Sequence, residues 1–487
     1  MNRREFIQAA ATTISGLTSR LGISGTDRSV EGLLRWLEES RREQIPRDIV
    51  RMIRTGLRYE DLLVALCLAA ARNVQPYPDV GYKYHSVMVL RSIHLATEQL
   101  LPADRWLPIA WAADYFKETQ AQERATSGWR LPTRVSASVG DREQARRALV
   151  TALDNWDRDA ADEAIVRYAR VAPVEQIFSV LFAYGARDLR AIGHKAITVS
   201  NAHSLIALLG SAHSEPILRS TVAALQNSEG GPDPAHHNLP PDRPWRQNQK
   251  QSREIPGSWK HGRDDLGARR ELRASLYRAP EEAAGAFVVE LLRQGISPDS
   301  IWQVFFDTAA ELLMRQPSIV LVHAQTTANA LHYAYRVCDH EQTQQLLLLQ
   351  CAAFMAMFRM QVAATQADFS LDSLQPLPLD STGADAVAEI FTDVSAGYRL
   401  RAARKSLGYL QNGGDADALI ATARHHLIYN AAEPHDYKFA EAVFDNHSHL
   451  VDPAERSRFL SAGMAYFRGP AKQPGPVVEE MSELLKA

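Results

Sequence analysis

Histidines recur at one fixed spacing in three stretches of the chain, and a fourth stretch keeps half of the pattern. In each of the first three, eight residues separate the two histidines: His85 and His94, His194 and His203, His323 and His332. In the fourth stretch His435 takes the first position and Phe444 the second. Because neutral imidazole is the commonest protein ligand for metals, histidines repeated in this way indicate a metal site.

Helix geometry separates the two columns of histidines. A step of nine residues turns an α-helix through about 900° and advances it by about 13 Å, so the two side chains of a pair point to opposite faces. One pair therefore cannot bind one metal unless its helix is broken. The first column is histidine in every stretch, and we predict that it supplies the metal ligands: His85, His194, His323 and His435.

The second column has a less defined role. Its histidines could face substrate, support the ligands or be structural: His94, His203 and His332. Two tyrosines lie beside first-column histidines in sequence, Tyr84 and Tyr437. Together with the second column, these tyrosines are our candidates for orienting substrate or moving protons.

A lysine follows the last first-column histidine. Lys438 lies three positions after His435, and so on nearly the same helical face. The equivalent positions hold uncharged side chains: Met88, Ile197 and Thr326. A lysine facing a metal and imidazoles would lose its proton through desolvation and repulsion. Neutral lysine can add carbon dioxide to form a carbamate, which would bind metal as a carboxylate does. A lysine that reaches to water is the alternative.

The elements that carry these residues read as helices. Beyond about residue 27, apolar residues recur with the helical period and strand-like alternation is scarce. The first-column histidines lie 109, 129 and 112 residues apart. We predict an all-α fold in which four related helical units of about 110 residues pack as one compact repeat array around a central histidine cluster. The units cover about residues 28–125, 145–227, 268–365 and 386–467.

The remaining segments complete the domain organisation. The longer middle interval contains residues 228–267, rich in proline, glycine and charge, which we predict to be an inserted loop in one catalytic domain, 28–467. Residues 468–487 read as a C-terminal tail. In residues 1–27, paired arginines precede a mildly apolar run, which resembles a twin-arginine export signal and predicts a periplasmic protein. An ordinary basic first turn on a cytoplasmic protein is the alternative.

Composition excludes several classes of function. A net charge of -3, with 46% apolar and 23% charged residues, is typical of a globular protein and gives no basis for binding nucleic acid. No apolar run reaches the ~20 residues that a membrane-spanning helix needs. The three cysteines form no CxxC, which argues against a disulfide framework or a thiolate metal site.

Other histidines are weaker candidates. His426 is a reserve ligand only, and three histidines of the inserted loop are expected to be solvated: His236, His237 and His261. Duplication can also copy a structural histidine into every unit. The histidines would then satisfy hydrogen bonds in the core of a binding or scaffold protein.

The chain resembles a known family through these motifs. The repeated histidine stretches, with His435-Asp436-Tyr437-Lys438 at the end, resemble the questin oxidase-like proteins, all-helical oxygenases that open rings of polycyclic aromatic quinones. The resemblance runs from about residue 59 to 450 through sparse motifs. It implies a mononuclear Fe²⁺ held by four histidines and a carboxylated lysine: His85, His194, His323, His435 and Lys438. The better-known members are fungal, whereas the N-terminal signal here is of bacterial type. Because of this departure, the resemblance says less about the substrate than about the metal.

The function expected from the sequence is that of an iron-dependent oxygenase. The resemblance implies dioxygen and an aromatic or polyketide-like small molecule as substrates, while the sequence specifies no external reductant. Without the resemblance, an all-histidine set suits zinc, copper, iron or nickel. A metal-dependent hydrolase would differ in its metal and its open coordination position. A helical scaffold without activity is the other alternative.

Overall fold

Most of the chain that the structure describes is helical. The computed structural model describes residues 29–76, 84–98, 100, 102, 104–133, 140–363, 369–469 and 476–486. Within these ranges there is no β-strand, only one isolated bridge between Arg263 and Ile296. The predicted all-α class is confirmed. The twin-arginine-like segment, 1–27, lies outside the described residues.

Several helices of the first half begin at side chains that accept hydrogen bonds from the first helical turn. Ser29, Asp141 and Asp157 each accept from a backbone N–H three residues on, satisfying a donor that the helix itself leaves free. The α-helices of this half are α1 (Val30–Glu39), α2 (Ile45–Arg54), α3 (Tyr59–Asn73), α4 (His85–Met88), α5 (Leu90–Thr97), α6 (Trp106–Thr126), α7 (Arg142–Asp154), α8 (Arg158–Val171), α9 (Val174–Gly185), α10 (His194–Leu209) and α11 (Ser214–Leu225).

The second half follows the same rule. Ser297, Ser318, Asp415 and Asp452 accept from the first turns of the helices that they precede. The α-helices of this half are α12 (Arg243–Gln251), α13 (Leu266–Leu276), α14 (Glu281–Arg293), α15 (Pro298–Arg315), α16 (Ile319–Val337), α17 (Glu341–Met360), α18 (Gly383–Ser395), α19 (Arg399–Gln411), α20 (Ala416–Asn430), α21 (Pro434–His449), α22 (Pro453–Met464) and α23 (Pro476–Lys486).

The histidine helices pack on one another in a closed cycle. Helix α5 contacts α10, α10 contacts α16, α16 contacts α21, and α21 contacts α5 again. The apolar helices α3, α9 and α15 surround this centre, and α15 is buried over most of its length. This cyclic packing gives the histidine helices a common axis, while the division of the chain into four repeated units stays a prediction. None of the described helices combines the length and apolar character needed to cross a membrane.

The segment predicted to be an inserted loop, 228–267, contains helix α12 and packs against the body of the protein. Trp245 and Trp259 are both buried, and the Trp259 indole donates a hydrogen bond of 2.9 Å to Glu341. Helix α12 contacts α14 and α17. The high content of proline, glycine and charge hid this role, because the buried apolar side chains of the segment, such as Trp245, Ile255 and Trp259, do not form a periodic apolar stripe.

The predicted C-terminal tail, 468–487, contains helix α23, which packs on the first part of the chain. Val477, Val478 and Met481 lie on one helical face and are buried against α2 and α6. Arg47 of α2 adds a 2.9 Å ion pair to Glu480. Helix α23 is thereby attached to two helices from the first quarter or so of the sequence, α2 and α6.

We predict that α23 stabilises the fold through its apolar face. Met481 is fully buried, so Met481→Ala should lower stability by about 2–4 kcal/mol through lost burial and the cavity that remains. The measurement is the urea midpoint followed by circular dichroism. Glu483→Ala on the exposed face of α23 is the matched control and should change stability by less than about 0.5 kcal/mol. Equal effects of the two changes would show that α23 does not pack as described.

Candidate metal centre

The four first-column histidines meet on the axis of the helix cycle. One ring nitrogen from each lies within 4.8 Å of those of all the others. Their ring centroids are 5.1 Å apart for His85 and His194, 4.4 Å for His194 and His323, 4.9 Å for His323 and His435, and 4.3 Å for His435 and His85. The order of the rings is the order in which the helices contact one another. The structure therefore brings together the residues that we predicted as ligands.

Each histidine of this cluster lies near the N-terminal end of a helix. His85 and His194 are the first residues of α4 and α10, His435 is the second residue of α21, and His323 lies in the second turn of α16. In the first stretch the helix is broken at Val89, between α4 and α5. The break does not bring His94 to the cluster.

A left-handed turn positions His194. Ala191, Ile192 and Gly193 have φ values of 60°, 46° and 86°, which non-glycine residues rarely adopt. At Gly193 a Cβ atom would lie 2.0 Å from Thr327 Oγ1 on α16, so only glycine permits this approach of the two backbones. The turn also directs the Ala191 carbonyl towards the His194 ring.

Buried ion pairs hold this turn. The Arg190 guanidinium donates two hydrogen bonds of 2.6 Å to the Asp242 carboxylate, and the Asp188 carboxylate accepts from the Arg190 backbone N–H at 2.9 Å. Asp188 also accepts from Lys195 at 2.7 Å. Asp242 belongs to the segment 228–267, so the presumed loop supports the histidine cluster. Sequence reasoning missed this contribution.

Hydrogen bonds from Nδ1 fix the tautomers of the histidines. His194 Nδ1 donates to the Ala191 carbonyl at 2.6 Å and His323 Nδ1 donates to the Ile319 carbonyl at 2.7 Å. Because a carbonyl oxygen can only accept, Nδ1 carries the proton in both rings and Nε2 presents its lone pair. His435 Nδ1 lies 3.4 Å from the Glu433 carboxylate, which favours the same tautomer.

The two lone pairs of His194 and His323 face each other. Their Nε2 atoms are 3.0 Å apart. Burial, followed by the charge of Lys438, holds the pKa of His194 well below its ordinary value. Burial and the neighbouring His194 do the same to the pKa of His323. Protonation is therefore disfavoured as the means of relieving the repulsion between the lone pairs.

A metal ion fits this arrangement. Two nitrogens at about 2.1 Å from one metal and at right angles to each other are about 3.0 Å apart, as the His194 and His323 nitrogens are. The Nε2 atoms of His85 and His435 are buried without a hydrogen-bond partner among the described residues. Burial also lowers the pKa of both these rings, so all four imidazoles are in the neutral form that ligation requires.

Lys438 is enclosed beside the cluster. Its side chain is 3% exposed, and its Nζ has no hydrogen-bond partner among the described residues. Burial lowers the pKa of Lys438 to about 7. A charge on its Nζ would lower the pKa of all four cluster histidines, which places it within electrostatic reach of each. The structure thus excludes a lysine that reaches to water.

The two tyrosines differ in their surroundings. The Tyr84 hydroxyl is 2.9 Å from Ser220 Oγ and is thus already engaged. Tyr437 is fully buried, its ring lies 5.0 Å from that of Trp111, and its hydroxyl has no hydrogen-bond partner among the described residues. Burial raises the pKa of Tyr437, which keeps the phenol protonated. A role for Tyr437 in orienting substrate stays a prediction.

The second-column histidines lie outside the cluster and pack against aromatic side chains of the preceding apolar helices. Ring centroids are 6.0 Å apart for His94 and Tyr59, 4.8 Å for His203 and Phe178, and 5.0 Å for His332 and Trp302. His203 Nδ1 is also 2.8 Å from the Tyr333 hydroxyl. This packing is typical of a structural role, and no second-column histidine is among the four residues of the histidine cluster.

The remaining histidines take no part. His426 Nε2 donates to the Arg468 carbonyl at 2.8 Å and lies outside the cluster. The three histidines between 228 and 267 are exposed, as expected: His236, His237 and His261.

A cavity of about 340 Å³ adjoins the cluster at His435. Aromatic and charged side chains line it, among them Arg399, Phe439, Tyr466 and Arg468. A larger cavity of about 580 Å³ near Tyr184 and Trp245 is lined by none of the cluster histidines. Sequence reasoning missed the residues around His435, although Glu433 stands only two positions away.

The comparisons with known proteins add no relative. No protein-family model matches the chain, and neither a curated protein nor a solved structure is found to be similar to it.

We predict that Gly193 is required for the centre. Gly193→Ala should lower both thermal stability and bound metal, because the added Cβ meets Thr327 Oγ1. Gly413→Ala is the matched control, since Gly413 also has a positive φ, of 82°, in a turn after a helix, but open space around it. Both changes introduce left-handed strain of about 1 kcal/mol or more, so only the difference between them reports the close approach of α10 and α16. Equal metal contents in the two variants would contradict the assignment.

We further predict that His332 makes stability depend on pH. Burial lowers the pKa of His332 to about 3, against about 6.5 in an unfolded chain. The unfolded chain therefore binds the proton first, and stability falls as the pH drops from about 6.5 towards 3. His332→Gln should reduce the fall in urea midpoint between pH 7 and 4.5, while the other buried histidines keep the rest of it. His261→Gln, at an exposed site, is the control and should leave the slope unchanged; the same slope in wild type and His332→Gln would refute the prediction.

Proposed function

We propose that this protein is a metal-dependent oxygenase in which a single non-haem iron is held by the histidine cluster. Its substrates would be dioxygen and an aromatic or polyketide-like small molecule. Histidine geometry supports the metal. The choice of iron and of oxygenation rests on the resemblance to the questin oxidase-like proteins.

One observation carries the metal site. His194 and His323 turn their lone pairs towards each other at 3.0 Å while their Nδ1 protons are held by backbone carbonyls. In a structural histidine pair, one nitrogen would donate to the other. A cation between the rings removes the repulsion and uses both lone pairs. This arrangement favours the metal site over a scaffold in which the histidines only satisfy hydrogen bonds.

The residues that would hold the metal are the four histidines and Lys438 as a carbamate. An iron ion bound there would supply the activation of dioxygen. Four neutral imidazoles leave the charge of Fe²⁺ uncompensated, and the described metal-ligand group contains no Asp or Glu. Lys438, uncharged over part of the neutral pH range and without a hydrogen-bond partner among the described residues, could supply an anion by adding carbon dioxide and releasing a proton.

The surrounding residues perform two further tasks. Carbonyls of Ala191 and Ile319 hold two of the rings in one orientation, so that little reorganisation accompanies ligation. Burial of the cluster between the histidine helices excludes water, which strengthens electrostatic interactions within the site. The cavity at His435 gives a small molecule access to one edge of the cluster.

Metal analysis of the purified protein tests this proposal. We expect about one iron per chain by elemental mass spectrometry. His194→Ala should lose most of it because the lone pair of one ligand is removed. His203→Ala is the matched control on the same helix and should keep its metal, because His203 packs on Phe178 away from the cluster.

The outcomes separate the alternatives. Zinc at the same stoichiometry, with no oxygen uptake, would favour a hydrolase. No bound metal after anaerobic reconstitution would favour a scaffold. Oxygen consumption with a panel of aromatic quinones, dependent on iron, would support the oxygenase. Growth with ¹³C-bicarbonate should give a carbamate signal in wild type that is lost in Lys438→Met.

A further inference from the structure

The cavity beside His435 has the form of a binding site. We call it the His435 cavity; it lies where the N-terminal ends of α16, α19 and α21 approach the residues that follow α22. Its volume of about 340 Å³ falls in the range of small-molecule sites. His435 connects it to the histidine cluster, because this side chain both lines the cavity and belongs to the ligand group.

Apolar and aromatic side chains form much of its wall. The rings of Phe439 and Tyr466 are 5.1 Å apart and meet edge to face, and Phe467 packs behind Phe439 at 6.1 Å. Val322 and Leu427, both buried, complete this side. Aromatic rings offer flat faces and edges against which another planar ring packs favourably.

The charges of the cavity are unequally paired. Arg468 donates to Glu433 at 2.7 Å and lies 3.3 Å from Asp436. Asp436 also accepts from the backbone N–H groups of Ala432 and Glu433. The carboxylates of Glu433 and Asp436 therefore already have hydrogen-bond or ion-pair partners within the protein, and so does the guanidinium of Arg468.

Arg399 is the cation that stays available. It lines the cavity, and its guanidinium lies 5.2 Å from the centroid of the Tyr466 ring. No carboxylate among the described residues forms an ion pair with it. A guanidinium held beside an aromatic ring presents its free N–H groups as a fork that matches the two oxygens of a carboxylate.

We propose that the His435 cavity binds a planar aromatic anion, with its ring against Phe439 and Tyr466 and its carboxylate or ionised phenol on Arg399. This inference narrows the substrates of the proposed function to molecules that carry a negative charge. Its relevance to catalysis rests on that proposed function. Arg399 is then the residue that determines specificity. Binding itself does not require the metal.

Equilibrium binding of two matched probes tests the proposal. 2-Naphthoate carries the anion, and 2-naphthamide has the same ring without a charge. Isothermal titration on the full-length protein, with metal and after chelation, separates the contribution of Arg399 from any direct contact of the carboxylate with a metal. We expect 2-naphthoate to bind more tightly than 2-naphthamide in both forms of the protein.

Three variants locate the site. Arg399→Gln should weaken binding of 2-naphthoate by about tenfold, as expected for the loss of one charge-assisted hydrogen-bond pair, and leave 2-naphthamide unchanged. Leu427→Trp should weaken both probes by filling the cavity. Arg270→Gln, at an exposed arginine away from the cavity, should change neither.

The proposal is overturned if Arg399→Gln leaves the affinity for 2-naphthoate unchanged, or if Leu427→Trp affects neither probe while circular dichroism shows a folded protein. These results are independent of the proposed function. An oxygenase without Arg399-dependent binding would retain its iron and its oxygen uptake, whereas a protein without iron could still bind 2-naphthoate at Arg399.

Discussion

The rest of the structure depends on one constraint: two imidazole rings are held with their Nε2 lone pairs close together, although these lone pairs repel each other. In each of His194 and His323, the Nδ1–H group donates a hydrogen bond to a backbone carbonyl three or four residues earlier in the chain. These hydrogen bonds orient both rings so that their Nε2 atoms point towards each other. In water such rings would rotate apart, but burial between packed helices prevents this. Packing of the helix cycle therefore offsets the unfavourable free energy of this repulsion and keeps the cluster assembled.

Support for this constraint comes from distant parts of the chain. Asp242 anchors the left-handed turn before His194 through Arg190, and Thr327 packs against the glycine at the end of that turn. Helix α12 holds the segment of Asp242 on α14 and α17. The centre is thus built from side chains at the cluster and from a second set, outside it, that limits how the backbone can move.

The sequence was informative about the ligands and weak about their support. Comparing the histidine stretches identified the first column, because that position is histidine in all four, while the helical period excludes both histidines of an unbroken pair from one metal. Lys438 was visible because it lies three positions after His435, on nearly the same helical face. The carbonyl acceptors of Ala191 and Ile319 were not visible, since backbone groups leave no mark on residue type. The turn at Ala191 and Ile192 was equally hidden, because neither residue is one that ordinarily signals a positive φ.

The contacts of α23 and α21 with the first helices have a consequence for biosynthesis. His85 and His435 lie 350 residues apart in the sequence, and α23, which packs on α2, follows both of them. Because contacts between such distant segments form late, a nascent chain that ends before His435 lacks one of the four cluster histidines. A metal site made of all four histidines would therefore assemble only after residue 435 has been synthesised, and a product terminated before that residue would lack one of the four rings.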